Sequence, residues 1–64
     1  MTQAKYNRIV EIHEELKELN EHILPAQEQE LLYAKPGEER NKAEAAYAAS
    51  QNRVLQLLKE IEKL

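Results

Sequence analysis

Tyr33-Ala34-Lys35-Pro36-Gly37-Glu38-Glu39 is the stretch about which the chain is arranged. Gly37 is the only glycine, and it follows Pro36 directly. Pro-Gly is a strong turn signal, because proline presets one backbone angle and glycine tolerates a positive φ. Outward from the Pro36–Gly37 bond the apolar residues pair off at equal distances: Leu19 with Val54, Leu16 with Leu57, Ile12 with Ile61 and Ile9 with Leu64. This mirror predicts an all-α fold, an antiparallel two-helix hairpin. Residues 1–64 form one domain, with a helix over about 3–33, a turn at about 34–37 and a second helix over about 38–64.

Both arms carry a heptad pattern. Ile9, Ile12, Leu16, Leu19 and Ile23 recur at alternating spacings of three and four, the a and d positions that face a partner helix. Ala43, Tyr47, Ser50, Val54, Leu57, Ile61 and Leu64 do the same in the second arm. Thr2 is suited to cap the first helix, and Glu38 and Glu39 to meet the positive end of the second. Pro25 interrupts the first arm. A proline inside a helix forfeits a hydrogen bond and crowds the carbonyl four residues earlier. The helix either kinks there and continues or breaks near Ile23 and restarts. An uninterrupted heptad count through Pro25 puts Ala26 and Tyr33 at d and Glu30 at a, with Ala26 opposite Tyr47. That count favours a kinked, continuous helix.

Composition narrows the function. Sixty-four residues build only a small core, and chains of this size usually need disulfides, a metal or oligomerisation. There is no cysteine, hence no disulfide and no thiolate metal site, which leaves self-association. The net charge of −3, with both signs interspersed, describes a solvated helical surface and predicts no nucleic-acid partner. No apolar run is long enough for a membrane span, and the first residues lack a signal-peptide core, so a soluble, cytoplasmic protein without membrane contact is expected.

Catalytic chemistry finds few carriers. Asp is absent, which removes any Ser/His/Asp set. His13 and His22 are nine residues apart and point to different sides of a helix. The residues three positions before them are Val10 and Leu19, so the Glu-x-x-His pairs of carboxylate-bridged metal bundles are missing. No glycine-rich loop is present to hold a phosphate. The expectation is no enzyme, no catalytic or metal-binding residue and no cofactor.

Apolar residues outside the a/d stripe need a different partner. With Ile9 and Tyr47 as position a, Tyr6, His13 and Leu58 fall at e, and Val10, Leu24, Leu31, Ala48 and Leu55 at b. In an antiparallel hairpin these positions share one broad face. The opposite face, at g and c, is polar, and there Arg8 can pair with Glu60 and Glu15 with Arg53. The expected interface is therefore Tyr6, Val10, His13, Leu24, Leu31, Leu55 and Leu58. A second copy of the chain covering that face would complete a homo-oligomeric helical bundle, with a dimer favoured. The alternative is an adaptor or chaperone-like module that packs the face on a different helical protein. The regular mirror and the dominance of strong helix formers also fit a de novo designed protein built on binary patterning.

Overall fold

A computed structural model describes residues 2–64, and the fold is an all-α helical hairpin with no strand among them. The first arm runs through α1 (Gln3–Glu18), a π-helical turn (Leu19–Ile23) and α2 (Leu24–Tyr33); the second is α3 (Glu38–Lys63). The Thr2 hydroxyl accepts the Lys5 N–H at 3.3 Å and starts α1. Gly37 stands at the head of α3 with φ 106° and ψ −139°, a conformation that glycine adopts without a side-chain clash. Glycine has no side chain to cap a helix. The Glu39 carboxylate instead accepts the Lys35 N–H at 2.9 Å across the turn.

The first arm does not break at Pro25. Glu18, Leu19, Ile23 and Leu24 all keep right-handed helical dihedrals. The chain accommodates the proline one turn earlier by widening: the Leu24 N–H donates to the Leu19 carbonyl, five residues back instead of four. A π-turn of this kind moves the carbonyl of residue 21 away from the ring that would otherwise crowd it.

That extra residue per turn corrects one expectation. The heptad phase does not survive the proline. Beyond it Gln27, Leu31 and Ala34 are half-buried, whereas Ala26, Glu30 and Tyr33 are exposed. Each inward position has moved one residue along the chain, as a single inserted residue requires. Ala26 is therefore outside the seam between the arms, and Tyr33 is 85% exposed.

The core is small and sits in the half of the hairpin away from the turn. Ile12 and Leu57 are fully buried and Leu19 nearly so, with Leu16, Ile23, Val54 and Ile61 packed around them. These are the a and d residues that pair about the turn. The Cα trace measures 49 × 18 × 12 Å, so the molecule is one helix thick. Neither broad face is covered by a further element.

Candidate interaction face

The two broad faces differ in chemistry. On the g/c face two arginines bridge the arms. Arg8 donates through Nε and Nη2 to both carboxylate oxygens of Glu60, the second bond measuring 2.8 Å, and through Nη1 to Glu11 at 3.2 Å. Arg53 donates in the same two-pronged way to Glu15, with the Nη2 bond at 3.1 Å. Both cross-arm pairs are those expected from the g positions. The hydrogen bonds from Arg53 and Arg8 hold the Glu15 and Glu60 carboxyls below the usual value near 4.5, and the same bonds raise both arginines. The groups are partly solvated, so their main role is to fix which residues stand opposite each other.

The e/b face carries no comparable network among the described residues. At the end away from the turn Tyr6, Leu55 and Leu58 are 56%, 55% and 45% exposed, Val10 is exposed to a similar degree as Leu58, and His13 is exposed beside them. By heptad position these five residues of the expected interface fall on that one face, and all five are exposed in the single hairpin. Lone surface leucines are ordinary, but a cluster of large apolar side chains on one side of a two-helix layer is not.

Leu24 and Leu31 are placed differently from the expectation, because the π-turn rotates α2. Leu31 is half-buried and takes the inward a position. Leu24 is half-buried and lines a shallow hollow with Gln51, Asn52, Val54 and Leu55, reaching the e/b face from within the groove between the arms. In place of Leu31, the residue brought to position b is Leu32, 76% exposed. The sequence signal for Leu32 was the proline itself, read as a one-residue insertion instead of a kink. Tyr33 and Glu30 are carried to the opposite face, where they line a second hollow with Glu39, Lys42, Ala43 and Ala46.

Among the described residues no group of three or more histidines, cysteines or acidic side chains is placed to hold a metal ion. No helix of the described residues is long and apolar enough to cross a membrane. No protein-family model matches the chain, nor does any curated protein or solved structure compared with it.

Proposed function

We propose that the hairpin is a structural, self-associating module without catalytic activity, in which two copies meet through the e/b face and complete a four-helix bundle. The observation that carries this reading is the exposed cluster of Tyr6, Val10, Leu55 and Leu58 on one broad face, opposite a face bridged by Arg8–Glu60 and Arg53–Glu15. Size points the same way. A compact monomer of 7.5 kDa would expose roughly 4,200 Å², whereas this chain exposes 5065 Å². The excess belongs to an elongated molecule one helix thick, whose broad faces are left for a partner to cover. A coiled-coil-like bundle of idealised helices with a mirrored apolar pattern also fits a designed origin.

Sedimentation over a concentration series, with paired variants, tests the reading. Leu58 lies off the seam, so Leu58→Glu should leave a monomer's stability within about 0.5 kcal/mol. In an assembly it buries an unpaired carboxylate and should dissociate the oligomer. Leu57→Glu is the control, because Leu57 is fully buried within the hairpin and its loss should unfold the chain in either case. Wild-type mass and melting in Leu58→Glu, alongside an unfolded Leu57→Glu, would remove the interface. A folded wild-type monomer at every concentration would leave the face to a different helical protein.

A further inference from the structure

The two halves of the hairpin are secured unequally. The buried core residues Ile12, Leu19 and Leu57 all stand on the open-end side of Pro25. The bridges Arg8–Glu60 and Arg53–Glu15 lie on that side too. Beyond Pro25, α2 buries no residue fully, and its inward positions Gln27, Leu31 and Ala34 are only half-buried. On α3 the inward residues of this half, Ala43 and Tyr47, are half-buried as well. The second arm is slim there, at Ala43 and Ala46, so the backbones can run close. Small side chains nevertheless remove little apolar surface from water, and the stabilisation scales with that area.

We infer that the turn-end half is a strap hinged at the π-turn: α2 detaches from α3 and loses its helix while Ile12, Leu19 and Leu57 stay packed and both arginine bridges stay closed. Segments with few buried apolar side chains open at a lower free energy than the core. Once detached, α2 cannot hold itself together. It has ten residues, fewer than the roughly 12–15 that an isolated helix needs in water. Its last turn carries no basic residue to meet the negative end of the helix dipole. The hinge is marked by the backbone: Pro25 has no N–H to donate across the junction, and the Leu24 N–H reaches five residues back. Gln27 favours the open state further, because its buried, unpaired Oε1 regains water there. Opening uncovers Leu24, Leu31 and Tyr47. These are contacts within one chain, so the inference does not depend on two copies meeting.

Hydrogen exchange of the backbone amides in the full chain, followed by NMR in rising sub-denaturing urea, tests the strap. The Glu30, Leu31 and Leu32 amides should be at least about tenfold less protected than those of Ile12, Leu19 and Leu57. Their protection should also fall less steeply with urea, because opening a part exposes less surface than unfolding the whole. The same contrast is expected in Leu58→Glu, since it arises within one hairpin. Ile61→Val separates the two halves directly. It trims a residue packed on the core, so it should lower the protection of Ile12 and Leu57 several-fold and leave the α2 amides within about twofold. Equal protection with equal urea slopes in both halves would overturn the strap. So would α2 amides that fall together with those of the core in Ile61→Val, because the hairpin would then open only as a whole.

Discussion

Gly37 carries the sharpest local constraint. Its φ of 106° and ψ of −139° lie where a Cβ is penalised whatever the surrounding space, and beyond the adjoining residues of the chain nothing described stands within 4 Å of the position a Cβ would take. The cost of substitution is therefore one of backbone conformation alone. Gly37→Ala should destabilise the hairpin by about 1–3 kcal/mol, with Gly37→Val at least as damaging. Equilibrium urea unfolding checks it, and an unchanged midpoint would mean that the turn accepts a negative φ. The two bridging carboxylates supply a pH signature. Glu15 and Glu60 are held below 4.5 by hydrogen bonds from Arg53 and Arg8, so below that value the unfolded chain binds more protons than the folded one. The stability from these pairs is complete above about pH 5 and is lost as pH falls through the lowered values. Thermal melts from about pH 6 to about pH 3 should show a steeper acid loss for wild type than for a Glu15→Gln, Glu60→Gln double variant. Parallel curves would mean that the pairs contribute nothing in solution.

The first arm is shaped by what the π-turn costs and what it gains. Without it, α2 would turn Glu30 and Tyr33 toward the seam and leave Leu24 and Leu31 outside. With it, two leucines approach the second arm, and the one polar residue brought inward is Gln27. The Gln27 Oε1 atom is buried without a hydrogen-bond partner. An unpaired buried carbonyl oxygen is unfavourable by roughly 1–3 kcal/mol. Gln27→Met keeps the length of the side chain and removes that atom, so it should stabilise the hairpin by about 1 kcal/mol. Chemical denaturation reads the change, and a loss of stability would show that the amide is held by a partner.

At the level of the hairpin, two arms in a single layer bury Ile12, Leu19 and Leu57 and leave one apolar face open. The Leu58→Glu comparison belongs here, because the substitution is silent for the isolated hairpin and decisive for an assembly. The arrangement of the two arms was legible in the chain: the Pro36–Gly37 turn, the mirrored a and d residues and the g-position ion pairs all follow from spacing. Helical period and antiparallel folding turn a linear pattern into a surface by arithmetic that needs no coordinates. The face beyond Pro25 was not legible in that way. Spacing says that a proline disturbs the helix; it does not distinguish a bend, which preserves the heptad count, from a widened turn, which advances it by one residue. Only the packing of α2 against α3 separates the two, because burying Leu31 instead of Glu30 offsets the irregular turn. Leu31 and Leu32 exchange roles through that balance, and a balance between backbone geometry and burial is set in three dimensions.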